Sequence, residues 1–287
     1  MECHQLVEKI TSRIKIGYSR TLSYAGRLQI ITAILFCLYN FWEAVFILPR
    51  SVLKEVDKQW RDYLWGNKED GWKIALVSWD KVCVPKKYGG LNIKNCAKWN
   101  MASVGKLIWQ LTMKQVTLWI RWVHGLCMKD SEDFWSHTPP QDSSWYRRKS
   151  NSLKAEMTHW YHNGRYWLTP NGKYSVSSSY QALLNNVQRW KEADLVWSSL
   201  LFPRNMFLLW LASRKRLLTK ERLGRLQIQI DSTMCELCYD LKEETQRHLF
   251  YECGWTTELR DKLETWSGIK IEGKEVLQSI RWIKRRH

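Results

Sequence analysis

Between Ser23 and Pro49 the chain reads SYAGRLQIITAILFCLYNFWEAVFILP, and from Ile30 to Leu48 only Thr32, Asn40 and Glu43 interrupt the apolar run. A helix that is apolar almost all the way round is either deeply buried or crosses a membrane. Arg27 and Arg50 flank the run and its length suffices to span, but Glu43 would be costly near a bilayer interior and the surrounding chain is strongly polar. The pattern predicts a buried helix, bent or split along its length. A membrane segment over residues 30–48 is the alternative.

Pro49 stops this helix and Ser51 is placed to cap the next. In that next helix Val52, Val56, Trp60, Tyr63 and Leu64 form an apolar stripe, Lys54, Lys58, Arg61 and Asp62 face outward, and Gly66 ends it. The stretch WKIALVSWDKVCVPKKYGGLNI then turns β-rich around Pro85 and Gly89-Gly90, which predicts a short hairpin. Helical period returns with Ala97, Met101, Val104, Leu107, Ile108 and Leu111. From Met128 to Gly172 the pattern weakens around SHTPPQDSSWYRRKSN, with the basic triplet Arg147, Arg148 and Lys149, as expected of a connection between domains. GKYSVSSSYQALLNNV reads as a short extended piece and a helix through Tyr180, Leu183, Leu184 and Val187. After Pro203, RNMFLLWLASRKRLLTKERLGRL predicts a helix with a buried face and a shorter one capped by Thr219. The fold class is therefore mainly α, with no internal repeat.

Charge changes this picture more than size does. The 287 residues carry a formal net charge of +17, with the excess spread along the whole chain. Such a body attracts polyanions, most simply RNA or DNA, or an anionic membrane surface. Arg214, Lys215, Arg216, Lys220, Arg222 and Arg225 crowd one turn against a single acid, Glu221, and are the candidate phosphate contacts; a solvated helical surface is the alternative. The nineteen tryptophans mostly share helical spacing with Leu, Ile and Val and are expected in the core. The start of the chain has no signal-peptide pattern, and Cys3, Cys37, Cys83, Cys96 and Cys127 are scattered without a frame, so an intracellular, reducing compartment is expected. His124, His137, His159 and His162 have no motif partner, and Gly89-Gly90 lacks the spacing of a phosphate-cradling loop, so no small-molecule substrate is expected.

The remaining cysteines are ordered. In CELCYDLKEETQRHLFYEC, Cys235 and Cys238 have the two-residue gap that lets a tight turn aim both sulfurs at one ion, and His248 and Cys253 follow. Thr245 can cap a short helix carrying His248 in its first turn. Cys253, five residues on, lies beyond the i, i+4 pairing and must sit where that helix ends, with Gly254 as its terminator. Three thiolates and an imidazole carry a formal −1 around Zn²⁺, which Lys242 or Arg247 could offset. A shell filled by four protein ligands leaves no place for an activated water, so the expected zinc is structural.

This stretch resembles the zinc-binding domain that follows the reverse transcriptase in plant LINE-type (non-LTR) retrotransposon polyproteins. GKYSVSSSYQALL, LLWLASRKRLLTKERL and Trp266 are similar to the same module. Upstream, LSYAGRLQIITAIL, FILPRSVLKEVDKQWRDYLWG, VCVPKKYGGLNIKNCAKWNMASVGKLIWQL and DSSWYRRK resemble the segment after the polymerase palm. The resemblance implies a thumb-like helical region with its short hairpin over 1–127, a shortened linker over 128–172, a small helical zinc-binding domain over 173–266 and a basic tail over 267–287. It implies Cys235, Cys238, His248 and Cys253 as ligands and engagement of the element's RNA or DNA target. Polymerases of this family hold two metal ions on paired palm aspartates; this sequence has no Asp-Asp pair, and its family-like part begins downstream of the palm. The expectation is a non-catalytic polymerase fragment with residual RNA or DNA binding; the alternative is a host-recruited nucleic-acid-binding or protein-interaction module with no link to transposition.

Overall fold

The computed structural model describes residues 2–16, 22–43, 48–66, 74–113, 118, 120–121, 135, 153–162, 165–184, 187–238, 241–270 and 275–286. The triplet Arg147, Arg148 and Lys149 lies outside the described residues, as do His124 and His137. The described chain is mainly helical: α1 (Glu2–Ile16), α2 (Tyr24–Ile30), α3 (Phe36–Glu43), α4 (Arg50–Trp65), α5 (Trp79–Val82), α6 (Cys96–Thr112), α7 (Lys154–Thr158), α8 (Val176–Leu183), α9 (Ala193–Val196), α10 (Pro203–Ser213), α11 (Lys220–Arg225), α12 (Gly254–Ser267) and α13 (Val276–Arg286). It divides into two units, each discontinuous in sequence: residues 1–20, 28–71 and 92–188, and residues 21–27, 72–91 and 189–287.

The long apolar run is split, as its pattern predicts, by a π turn at Ile31–Leu35 between α2 and α3. Ile31, Leu35 and Tyr39 are fully buried, whereas Ile34 and Phe41 are exposed. The run therefore buries one stripe and not its whole circumference, and α1 and α6 are the helices that pack against α3. Among the described residues, 24–42 form the one helix long and apolar enough to cross a membrane. The stripe of α4 is buried as predicted, through Val52, Val56, Trp60, Tyr63 and Leu64, and Gly66 ends the helix by donating its N–H to the Asp62 carbonyl at 2.8 Å. Ser51 does not cap it: the helix starts a residue earlier, because Pro49 is extended (ψ 147°) and Arg50 is already helical.

Helix α6 is capped by Asn95, whose Oδ1 accepts the Lys98 N–H at 3.0 Å. Its predicted stripe buries Val104, Ile108 and Leu111, but Asn100, Ala102, Ser103 and Gly105 are buried too, and Ala97 is exposed. A helix sandwiched between α4 and α8 has two inner faces, and single-face periodicity does not anticipate that. Gly105 admits the Tyr174 hydroxyl, which donates to the Ala102 carbonyl at 2.6 Å; a Cβ at 105 would lie 2.2 Å from that oxygen. Tyr166 joins the cluster, its hydroxyl 2.5 Å from Ser179 Oγ.

The second unit takes in 72–91, where the sequence predicts the hairpin. The chain instead makes α5 and a 3₁₀ turn at Lys86–Tyr88, closed by Gly89 at φ 87°. The Leu91 N–H donates to Val82 O at 2.9 Å and closes a turn, not a ladder. The one strand pair among the described residues is the two-residue ladder of Tyr161–His162 with Arg165–Tyr166, in the first unit. The turn at Lys86–Tyr88 is held from outside by three bonds: Trp210 Nε1 and Arg214 Nη2 both donate to the Gly89 carbonyl, at 2.8 and 2.6 Å, and the Trp190 N–H donates to Lys87 O at 2.9 Å. Lys86 also lies 4.7 Å from the Trp197 ring centre, and Tyr24 stacks on Phe207 at 5.5 Å. Arg281 pairs with the buried Glu192 at 2.6 Å and ties α13 to the start of α9. Trp60, Trp65, Trp109 and Trp210 are core residues, while Trp255 and Trp266 are exposed along α12.

Candidate metal centre

Two pieces of local structure bring the ordered cysteines together. The first is a turn entered from a single bridge pair, Met234 with Glu243. The Cys235 N–H donates to Lys242 O at 2.9 Å, and the Leu237 N–H points at Cys235 Sγ at 3.4 Å. The backbone thus wraps one sulfur and sends the next, Cys238, to the same side.

The second piece is a helical turn that Thr245 starts, as the sequence predicts: its Oγ1 accepts the His248 N–H at 2.9 Å. The turn then runs as a π helix over His248–Glu252. Cys253 donates its N–H to His248 O at 2.8 Å, the i→i+5 bond that defines this geometry. A spacing too wide for an α turn is the natural repeat of a π turn, so the wider backbone ring brings His248 and Cys253 to one side. Cys253 does sit at the end of its turn, but Gly254 does not terminate the chain direction there. It opens α12, with Cys253 as its first cap residue.

The four ligand atoms of Cys235, Cys238, His248 and Cys253 all lie within 4.8 Å of one another. Cys235, His248 and Cys253 are buried and Cys238 is half-buried. His248 Nε2 is 3.3 Å from Cys238 Sγ, and its Nδ1 is buried without a partner. Burial raises the cost of ionising Cys253, but the amides of Thr256 and Trp255, with the Cys238 thiol and the Thr256 hydroxyl, outweigh it and hold the thiol below its usual range. A sulfur at a helix N-terminus is favoured as thiolate, the form that ligates metal. Three sulfurs and an imidazole at these separations fit a single tetrahedral zinc ion, with no protein-free position for substrate.

Charge around the cluster is arranged differently from the sequence expectation. Arg247 pairs with Glu252 at 2.6 Å and Lys242 is exposed. The cation that senses Cys235 is Lys220, which bonds Glu236 at 2.5 Å; that bond chiefly, and then Glu236, Glu244 and Cys235 as charges, raise its pKa. It is 15 residues upstream of the first ligand in sequence, and spacing alone gives no signal for it.

The six candidate phosphate contacts separate into distinct roles. Arg214 is half-buried, bonded to Gly89 O and lying over the Trp190 ring at 5.3 Å, and burial lowers its pKa. Lys215 reaches Glu275 at 2.9 Å, and Arg225 bonds Glu221 one turn away on α11. Arg222 donates through Nη1 to Lys215 O at 3.0 Å, and Arg216 is exposed. Lys215, Arg222 and Arg225 line a cavity of about 190 Å³ beside the π turn, which also takes in Arg247 and Tyr251.

Residues 174–259 match the family described as zinc-binding in reverse transcriptase. A curated protein of Arabidopsis thaliana, whose name refers to ribonuclease H, is 36% identical over 115 residues, a stretch that covers 40% of this chain and 18% of that protein. The chain thus spans under a fifth of the length of that relative. No solved structure matches it. The sequence match and the Cys₃His cluster coincide in the same segment, and that segment is similar to the zinc-binding region of reverse transcriptases.

Proposed function

We propose that this chain is a non-catalytic part of a plant LINE-type (non-LTR) retrotransposon reverse transcriptase, stapled by one structural zinc ion and binding RNA or DNA through a basic surface. The observation that carries it is the closed ligand set of Cys235, Cys238, His248 and Cys253 inside the matched segment. Four protein donors saturate a tetrahedral zinc, so the ion contributes folding energy and polarises no substrate. In this reading residues 1–127 are the thumb-like region, 173–266 the zinc-binding domain, and 128–172 and 267–287 a linker and a basic tail. The net charge of +17 supports polyanion binding inside the cell. Lys215, Arg216, Lys220, Arg222 and Arg225 are the surface contacts, with Arg214 holding the turn that presents them.

The test is zinc stoichiometry on tag-free protein, paired with RNA and DNA binding measured across a salt series. One zinc per chain and a steep salt slope are expected. Protein that is folded and metal-free, or that ignores both nucleic acids at low salt, overturns the reading. Binding without any link to transposition would instead favour a host-recruited module. A second reading rests on the apolar helix at 24–42 with Ile34 and Phe41 exposed. If the protein stays with membranes through alkaline washing, this segment is a membrane contact.

A further inference from the structure

The cavity beside the π turn is built from four separate pieces of the second unit: the end of α10, helix α11, the turn carrying His248, and the start of α13. Lys215, Arg222, Arg225 and Arg247 line it, against two carboxylates, Glu221 and Glu275. Three of those cations are already paired: Lys215 with Glu275, Arg225 with Glu221, and Arg247 with Glu252 outside the lining. Arg222 differs. It bonds a carbonyl through Nη1, its Nε–H is buried without a partner, and its charged neighbours are Arg216, Arg225 and the carboxylate of Glu221.

We infer that this cavity is a seat for one phosphate group, with Arg222 as its central ligand. The geometry gives the class. A guanidinium engaged at Nη1 keeps its Nε–Nη2 edge, the fork that takes a phosphate through two parallel bonds. An acceptor reaching that edge would bond Nε and Nη2 and add negative charge beside Arg216, Arg222 and Arg225, where Glu221 is the carboxylate already present. The volume of about 190 Å³ is below the roughly 300–1,000 Å³ of ordinary small-molecule pockets. It suits a phosphate with an adjoining sugar or ring, not a folded dinucleotide. Gln246 sets one wall by donating to Ala212 O at 2.8 Å, and the Tyr251 hydroxyl sits 2.9 Å from Ser279 Oγ at another. The same chemistry occurs in a free nucleotide and at a strand terminus. The seat deepens the nucleic-acid reading of this surface but stands on the cavity itself.

The experiment uses the full chain with zinc supplied. Inorganic phosphate, adenosine 5′-monophosphate, and one RNA oligonucleotide with and without its 5′-phosphate are titrated by calorimetry, with the arginine Nε–H resonances followed by NMR. Saturable one-site phosphate binding is expected. Arg222→Gln should weaken it about tenfold or more, the worth of a charged hydrogen bond. Glu275→Gln should tighten it, by freeing Lys215, an outcome that loss of folding cannot mimic. Should Arg222→Gln unfold, Arg247→Gln, which leaves the Arg222–Lys215 bond intact, should weaken binding by a few-fold. A strong preference for the 5′-phosphorylated strand assigns the seat to a strand end; equal binding of nucleotide and strand assigns it to a free nucleotide. Absence of saturable phosphate binding, or affinity unchanged by both Arg222→Gln and Glu275→Gln, overturns the seat. RNA binding that persists in that case leaves the wider reading standing, whereas a phosphate seat in a protein that ignores nucleic acid removes only the wider reading.

Discussion

Cys253 donates its backbone N–H to the carbonyl of His248, five residues back, at 2.8 Å. That bond makes the ligand spacing a property of the turn type. Removing the exposed Phe250 leaves a four-residue spacing, which an ordinary α turn also brings to one side. Inserting an alanine after it leaves six, which no regular turn closes. The shortened protein is expected to keep one zinc per chain and the lengthened one to lose it, as read by metal analysis after desalting.

Thr245 fixes where this turn begins. Thr245→Ala should cost about 1 kcal/mol of stability, the usual worth of an N-terminal cap. Because the cap also sets the His248 side chain, zinc affinity should fall with it, whereas Thr219→Ala, at the cap of α11, should cost similar stability with little change in affinity. Equal zinc affinity in the two variants would sink the positioning role.

At Gly105 in α6 a methyl group has nowhere to go. Gly105→Ala would set a carbon 2.2 Å from the Tyr174 hydroxyl, and that hydroxyl would have to give up its bond to Ala102. The gain in helix propensity is about 1 kcal/mol. Overpacking costs about 1–3 kcal/mol and the lost bond adds to it, so net destabilisation is expected in thermal melts.

Tyr174 also predicts an alkaline dependence. Burial chiefly, with Tyr166 nearby and against the pull of Ser179, raises its pKa above the ordinary tyrosine value of 10.0. Above that value the unfolded chain has released the proton and the folded one has not, so stability falls as pH rises. The contribution is fully present below pH 10 and is lost progressively above it. Tyr174→Phe should be less stable at neutral pH by about 1 kcal/mol and should show a shallower decline between neutral and strongly alkaline urea melts. Parallel declines would refute it.

Much of this was legible beforehand, for identifiable reasons. The stripe of α4 and the Thr219 and Thr245 caps are local signals, set by residues three and four apart. The ligand set follows from chemistry that few other residue types can supply. What spacing did not carry is long-range. Pro85 and Gly89 read as a hairpin because the partners of that turn, Trp210 and Arg214, lie more than a hundred residues away. Arg214 read as a surface cation for the same reason. The second inner face of α6 depends on α8, and Lys220 meets Cys235 only after both turns have folded.

The shared carbonyl of Gly89 has a practical meaning for how this protein can be cut. A fragment drawn on residues 174–259 would keep Trp210 and Arg214 but discard the oxygen that accepts from both. It would also end inside α12. An indole and a guanidinium would be stranded on a surface meant to be covered, and such a piece should precipitate or bind zinc in a loosened form. Residues 72–91 must travel with it, on the same chain or as an added peptide. Complementation by that peptide would turn one backbone oxygen into a measurable splice point.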